Sequence, residues 1–478
     1  MIPFGDWLPD QPALANPGAT IANNVIPRLK SYGQFRSLSA YTLALTGRCY
    51  GATKAITANG TVYNFAGDAT KLYLLDDMTW ANVSKGGNYS NVTSWEYARH
   101  GDRIVAANLL NPLQYFDMGT SALFADLPGT PPQAARVGVV RDFLVLGDIK
   151  SGSDFPARLA WSGYNNTNLW TASRATQSDV RDLRGDGGRI MQIVSGQTGV
   201  IFQESSIWMM RYAGPPTIFT LDEVERGRGT PAAKSVVRVG ESIYYLGQDG
   251  FYKFSDGQSQ PIGAERINRW FFTNCGELSS VIGMADIRNT LIYWSFSTSG
   301  GAAYGNKVVV YNWTSDKWSS ADVNIEAFAN QAAQSLTLDQ LDSVLAGGID
   351  ATTFAVDSPA YQGGQEFLSA FDSSHKAAAF TGSPLVASLE TAEFGDEPRS
   401  LLRHVRALVD GAGSLTVQHV GRNHQENNTT YGLPINGTDN GLFLIRKKSR
   451  YHRVKVNITG GFVDAMGIEP ETRKAGGR

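Results

Sequence analysis

Histidines are the first residues to examine for chemistry in this chain of 478 residues: His100, His375, His404, His419, His424 and His452. None belongs to an HExxH pattern or to a Cys/His cluster, the arrangements that bind zinc. His419 and His424 lie five residues apart across a Gly-Arg-Asn turn, without a third ligand beside them. We therefore expect no metal site and no cofactor. His404 and His452 lie inside basic strands, which predicts surface or interface positions.

Carboxylates in the middle of the chain are the candidates for hydrolysis, because glycosidases set two of them about 5–10 Å apart. These acids are Asp179, Asp182, Glu204, Glu223 and Glu225. Nothing in the sequence fixes a pair among them. The sequence Ser-Asp-Lys-Trp at 315–318 resembles a shortened sialidase Asp-box without its glycine, and it reads equally as a turn followed by a packed tryptophan.

Glycine and arginine in ERGRGTP (225–231) have the composition of an anion-binding loop. Pro231 follows at once and no helix begins there, so the segment reads better as a turn between two sheets. The chain also has no G-x-S-x-G elbow and no Walker loop. We predict no catalytic residues and no enzyme activity, with a β-propeller glycan hydrolase or lectin as the alternative function.

Charge and composition exclude several classes of protein. No apolar run reaches the 18 residues of a membrane helix, and the start MIPFGDWLPD has no secretory-signal pattern. Cys49 and Cys275 alone make no disulfide framework. The expected origin is therefore a reducing cytoplasm. A net charge of −2 argues against general nucleic-acid binding.

The charge is unevenly distributed along the chain. Residues 399–478 contain 13 basic and 6 acidic residues, and residues 1–398 contain 29 and 38. The stretch IRKKSRYHRVKV (445–456) is the most basic. It could be a solvated strand face or a docking surface for an acidic neighbour. The candidate interface residues are Arg446, Lys447, Lys448, Arg450 and Arg453.

The elements that position these residues are strands. Residues 1–45 contain five prolines and no 3.6-residue period, which predicts an extended N-terminal arm. From 46 onward, apolar or alternating runs are separated by Gly, Asn and Asp turns. The predicted strand pairs are 61–65 with 71–75, 103–107 with 113–116, 135–140 with 143–147, 192–195 with 199–203, 242–246 with 251–254, and 290–295 with 307–311.

These units recur every 40–50 residues, as in the blades of a β-propeller. We predict an all-β fold: a degenerate β-propeller body over 46–380 and a C-terminal antiparallel β-sandwich-like platform over 381–478. A sandwich or a series of short β-domains is the alternative for the body. Residues 336–348 are either a short helix or part of a last, weak blade. The aromatic residues expected to pack between blades are Trp208, Tyr244, Tyr245, Trp294 and Trp318.

Three stretches together carry a family resemblance: 135–149 with 158–170, SGQTGVIFQESSIW through LGQDGFYKF within 193–257, and the terminal 449–478. They resemble the tail hub or nozzle proteins of short-tailed bacteriophages, which are also known as packaged-DNA stabilisation proteins. The resemblance covers roughly 100–320 and 385–478, and residues 1–45 take no part in it.

The resemblance implies a structural virion protein, made in the bacterial cytoplasm and built into the tail. It implies a homo-hexameric ring below the portal and the tail adaptor, surrounding the DNA exit channel and helping to retain packaged DNA until ejection. Its implied partners are that adaptor, tail fibres or spikes, and double-stranded DNA that passes without sequence-specific binding. The Gly/Asn-rich loops 296–306 and 421–440 are candidates for the channel rim or fibre contacts.

Overall fold

The computed structural model describes residues 1–301, 303–332, 366–395, 399–411 and 413–475, and this part of the chain is all-β. Its helices are short: α1 (Asn268–Asn274) and the 3-10 helices Ala233–Ser235 and Leu278–Ser280. The predicted element at 336–348 lies outside the described residues. No helix among the described residues is long and apolar enough to span a membrane.

Five short strands come from the N-terminal arm. They are β1 (Ile2–Pro3), β2 (Ala19–Asn23), β3 (Val25–Pro27), β4 (Tyr32–Gln34) and β5 (Ser39–Ala44). Four of them pair outside the arm: β1 and β4 pair with one strand near the C-terminus, β2 pairs with a strand of residues 317–321 and one of residues 387–391, and β5 joins a sheet formed by residues after 326. The strand β3 pairs with β4. The arm is therefore integrated into the fold at several places.

Small antiparallel sheets of four strands follow, which we call blades. Blade 1 has β6 (Gly51–Ile56), β7 (Val62–Gly67), β8 (Leu72–Asp76) and β9 (Thr79–Asn82). Blade 2 has β10 (Glu96–His100), β11 (Arg103–Ala107), β12 (Gln114–Asp117) and β13 (Ala125–Asp126). Blade 3 has β14 (Gln133–Val140), β15 (Phe143–Ser151), β16 (Ser153–Trp161) and β17 (Asp179–Asp182). Blade 4 has β18 (Ile190–Val194), β19 (Gly199–Gln203), β20 (Ser206–Gly214) and β21 (Ile218–Arg226).

Three further blades complete the body. Blade 5 has β22 (Val237–Val239), β23 (Ser242–Leu246), β24 (Phe251–Ser255) and β25 (Gln258–Pro261). Blade 6 has β26 (Ile282–Asp286), β27 (Leu291–Phe296), β28 (Lys307–Asn312) and β29 (Lys317–Ala321). Blade 7 has β30 (Ala327–Ala332), β31 (Glu366–Phe371), β32 (Lys376–Ala379) and, as its outer strand, β5 from the arm. Every strand pair predicted from the sequence forms an antiparallel pair here.

Consecutive blades pack face to face, because a four-stranded sheet cannot bury both of its faces alone. Phe65 of blade 1 lies against Phe116 of blade 2, with ring centroids 5.3 Å apart. The series returns to its start, since Trp80 of blade 1 lies 5.5 Å from Phe371 of blade 7. The first strands of blades 7 and 1, β30 and β6, are likewise in contact. This is a propeller-like arrangement of blades, as the sequence predicts.

The C-terminal strands divide between two sheets. They are β33 (Ala387–Thr391), β34 (Ser400–Asp410), β35 (Ser414–Arg422), β36 (Thr430–Tyr431), β37 (Ile435–Asn436), β38 (Phe443–Ser449), β39 (Tyr451–Thr459) and β40 (Asp464–Lys474). One sheet has the order β3-β4-β40-β34-β38, with β1 also on β40. The other runs from blade 6 through β2 to β33, β39, β35 and its partners β36 and β37.

A single hydrophobic core joins these sheets to the body. It contains Leu402 and Ile468 of the first sheet, Val417 and Val456 of the second, and Trp294 of blade 6. The arm is tied to the same region by Asp10, whose carboxylate oxygens accept the backbone N–H groups of Arg269 and Trp270 at 2.8 Å each. Asp10 therefore caps the first turn of α1, which has no side-chain cap of its own.

Candidate interface strand and buried polar clusters

Strand β38 carries most of the predicted interface residues, and we call it the basic edge strand. Among the strands that the structure describes it is the last of its sheet and pairs with β34 alone, so its other backbone edge has no partner there. Arg446 has a φ of 51°, and the register with β34 shifts between Leu402 and His404. This bulge interrupts the alternation of the strand and leaves three consecutive basic residues facing outward.

Those residues, Arg446, Lys447 and Lys448, are all exposed. None of them forms an ion pair with another described residue. Leu444, two residues earlier on the same strand, is also exposed. Lysines on an edge strand oppose pairing with a foreign strand, so this surface is suited to side-chain contacts with an acidic partner. Arg450, just after the strand, is half-buried.

Arg453 lies apart from this surface, in a buried ion-pair cluster on β33, β35 and β39. Its Nη1 donates to Glu390 Oε1 at 2.9 Å, and its side chain is only 13% exposed. Glu390 Oε2 also accepts the Tyr431 hydroxyl at 2.8 Å. Beside it, Arg422 Nη2 donates to Glu393 Oε2 at 2.7 Å. Buried charges need such partners, so the Arg453 guanidinium is engaged within the fold and is not part of the basic edge strand.

Two histidines form a second buried cluster close by. His419 Nε2 and His452 Nδ1 are 2.9 Å apart, and His452 Nε2 lies 2.9 Å from Ser400 Oγ. Burial, with His452 and Lys447 nearby, lowers the pKa of His419 to about 4, and burial also lowers the pKa of His452. The expected surface position of His452 is therefore wrong, because its side chain is completely enclosed. His424 is exposed and takes no part in the pair.

The acids considered for hydrolysis lie on the outer strands of blades 3 and 4, or in turns. Asp182 on β17 accepts Arg158 Nε and Nη2 at 2.6 and 2.9 Å, and this contact lowers the pKa of Asp182. Glu223 on β21 pairs with Arg226, the second residue of the ERGRGTP segment (225–231). That segment links blades 4 and 5, as predicted.

A cleft of about 620 Å³ lies beside this link. Glu204, Glu225 and Arg228 line it together with Tyr245 and Tyr252. Ser259 N–H donates to Glu225 Oε1, while the buried Oε2 has no hydrogen-bond partner among the described residues. The cleft thus combines carboxylates, a guanidinium and the edges of aromatic rings beside the β19–β20 and β23–β24 turns of blades 4 and 5.

The aromatic residues expected to pack between blades do so. Tyr244, Tyr245, Trp294 and Trp318 are buried, and Trp208 packs against the core between blades 3 and 4. Trp318 follows the turn at Asp316, which accepts the Tyr311 hydroxyl at 2.9 Å. The Ser-Asp-Lys-Trp segment is therefore a structural turn with a packed tryptophan.

A group of charged residues that the sequence does not predict lies near the start of the first strands of the blades. Glu96 of blade 2 accepts Arg136 Nη1 of blade 3 at 3.0 Å. Glu326, just before blade 7, is 2.8 Å from His375 Nδ1. Lys234 lies in the 3-10 helix before blade 5. These residues are far apart in the chain, and no local pattern marks them as neighbours.

Among the described residues, no group of three or more His, Cys, Asp or Glu side chains is placed to hold a metal ion. No protein-family model and no curated protein matches the chain. One solved structure that it resembles is that of the computationally designed Ika8 protein, with 11% identity and a TM-score of 0.38. The match covers 72% of this chain and 99% of that one. The likeness is too distant to support an argument about function.

Proposed function

We propose that the chain is a structural protein of a bacteriophage virion, a tail hub or nozzle that forms a hexameric ring below the portal and adaptor. In this role the propeller-like body and a sandwich-like platform surround the DNA exit channel and help to retain packaged DNA until ejection. The proposal begins from the sequence resemblance described above. The structural observation that supports it is the basic edge strand, whose exposed positive charges are suited to contact with an acidic neighbour.

Charge and apolar exposure both favour assembly through this part of the chain. Arg446, Lys447 and Lys448 are three exposed members of the basic segment 399–478, while residues 1–398 are net acidic. Exposed apolar side chains accompany them in the C-terminal segment: Val386, Tyr431, Leu433, Leu444, Val463 and Met466. A copy of the acidic body is therefore a complementary partner for the platform.

A net-acidic body also suits a channel for DNA. A wall rich in Lys and Arg would bind phosphates by releasing counterions and would hold the duplex in place. With 29 basic and 38 acidic residues before position 399, the body lacks such an excess of cations. DNA would then pass without sequence-specific binding.

Copy number in purified virions tests the proposal. Quantitative mass spectrometry of particles from the phage or prophage that encodes this chain should find one copy of the chain for every two copies of the portal protein. Absence of the chain from the particles would refute the tail function.

Charge reversal tests the surface itself. The triple variant Arg446→Glu, Lys447→Glu and Lys448→Glu should fold as a monomer and fail to form the ring, measured by mass photometry. Lys150→Glu, Arg174→Glu and Arg184→Glu together make the same charge change at exposed sites of blade 3 and its neighbouring turns. This control should still assemble, and equal loss in both variants would contradict a specific docking role for β38.

A second candidate function, glycan binding or cleavage, is favoured by the cleft between blades 4 and 5. Its carboxylates and Arg228 can form hydrogen bonds with sugar hydroxyls, while the Tyr245 and Tyr252 rings are packed in the core between blades 4 and 5. Binding of the full chain to a glycan array, with Glu225→Gln as the comparison, tests this function separately from assembly.

A further inference from the structure

A cavity of about 210 Å³ opens where the first strands of the blades begin. Blades 1, 2, 4, 6 and 7 and the 3-10 helix before blade 5 all contribute to it. Its lining includes Thr53, Trp95, Gln192, Lys234 and Phe328. Convergence of so many chain segments on one small space is typical of a ligand site, where apolar walls surround a few polar groups.

Lys234 supplies the only positive charge on that lining among the described residues. Its ammonium donates to the Tyr50 carbonyl oxygen, which also accepts the Trp95 backbone N–H. An ammonium has three donors, so this contact leaves capacity for a ligand. Lys234 forms no ion pair with any described residue. Withdrawal from water lowers the pKa of Lys234, and the negative charge of Glu96 opposes that shift only in part.

The carboxylates on the cavity wall are already engaged elsewhere. Glu96 accepts Arg136 Nη1 at 3.0 Å. Glu326 is paired with His375 Nδ1 at 2.8 Å and accepts the Cys49 backbone N–H at 3.1 Å. Neither acid lies within ion-pair distance of Lys234. Among the described residues of the lining, Lys234 is therefore the cation whose charge a bound anion would balance.

We infer that this cavity binds a small organic monocarboxylate, with its carboxylate on the Lys234 ammonium and its apolar part against Trp95 and Phe328. Thr53 and Gln192 provide further polar groups at the lining. A dianion such as phosphate is disfavoured, because one ammonium balances only one charge and two carboxylates stand on the same wall. This binding site goes beyond the proposed tail function and does not depend on it.

The test measures ligand-dependent thermal unfolding of the full chain at constant ionic strength. The probes are sodium acetate, butyrate and benzoate, compared with sodium chloride, sodium phosphate and the neutral benzyl alcohol. At least one carboxylate should raise the Tm by about 1–2 °C at a concentration well above its Kd. Chloride, phosphate and benzyl alcohol should not.

Lys234→Gln keeps a donor toward the Tyr50 carbonyl and removes the charge. This variant should fold, and isothermal titration should show that it binds the carboxylate at least ~10-fold more weakly than the wild type. Lys234→Met removes the donor as well and should also lose the Tm increase. Lys150→Gln, at an exposed site of blade 3, should behave as the wild type. If no carboxylate raises the Tm, if Lys234→Gln binds unchanged, or if phosphate or benzyl alcohol binds as well, the inference is overturned.

Discussion

Replacing His419 by glutamine should make the stability of this protein less sensitive to acid. The folded chain holds His419 and His452 as neutral rings 2.9 Å apart, with Lys447 adding positive charge nearby. Two protonated rings would have only donors to offer each other. At pH values below 6.5, His419 therefore takes up a proton much more readily in the unfolded chain than in the folded one.

The structure sets the size of this effect. Burial lowers the pKa of His419 from 6.5 to about 4, so stability is lost as the pH falls between those values. One pKa unit is worth about 1.4 kcal/mol, so the full penalty is about 3 kcal/mol near pH 4 and about 2 kcal/mol at pH 5. Above pH 6.5 both states are neutral and the penalty disappears. Glutamine keeps a polar group beside His452 but does not titrate.

The assay is urea unfolding of wild type and His419→Gln at a series of pH values between 7.5 and 4.5. The difference in unfolding free energy between the two proteins should shift by about 2 kcal/mol in favour of the variant at pH 5. His424→Gln is the matched control, because that histidine is exposed and five residues away. If wild type and His419→Gln lose stability in parallel on acidification, the reasoning from the buried pair is refuted.

Two further predictions concern contacts between distant parts of the chain. Asp10→Ala removes both acceptors at the first turn of α1 and should lower the free energy of unfolding in urea by about 1–2 kcal/mol. Asp10→Asn keeps one acceptor and should lose less. Equal stability of the wild type and both variants would contradict the capping role. Glu390→Ala removes the 2.9 Å partner of the buried Arg453 guanidinium and leaves it Glu393 Oε1 at 3.7 Å, so the variant should lose about 3 kcal/mol of unfolding free energy. The double variant Glu390→Ala, Arg453→Met should recover part of that loss. No recovery in the double variant would argue against the weakened ion pair as the cause.

The blades were predictable because their signals are local. Alternating apolar runs and short Gly, Asn and Asp turns specify antiparallel hairpins without reference to the rest of the chain, and every predicted pair is present. The burial of His452 was also open to prediction from its own strand. Residues 452, 454, 456 and 458 alternate, and the last three are Val, Val and Ile, so His452 shares their buried face.

The partners of the arm could not be predicted in this way. Its prolines indicate an irregular segment, yet Pro3 and Pro27 lie in strands of two or three residues, where a missing N–H costs little. Ile2 pairs with Ile468 and Ala40 with Ala378, and no local pattern encodes so long a separation. The cavity around Lys234 could not be predicted either, because its walls come together only when the blades pack into one closed series.

The pairing of β5 with β32 also sets an order of events during protein synthesis. Ala40 leaves the ribosome before almost all of the body, and its partner Ala378 follows only after roughly 20–70 s at about 5–20 residues per second. Blades 1 to 6 can pack one after another during that interval, while β5 waits for β32. A chain whose translation stops before β32 cannot form this pair, so a segment that is made late decides whether one of the earliest strands finds its partner.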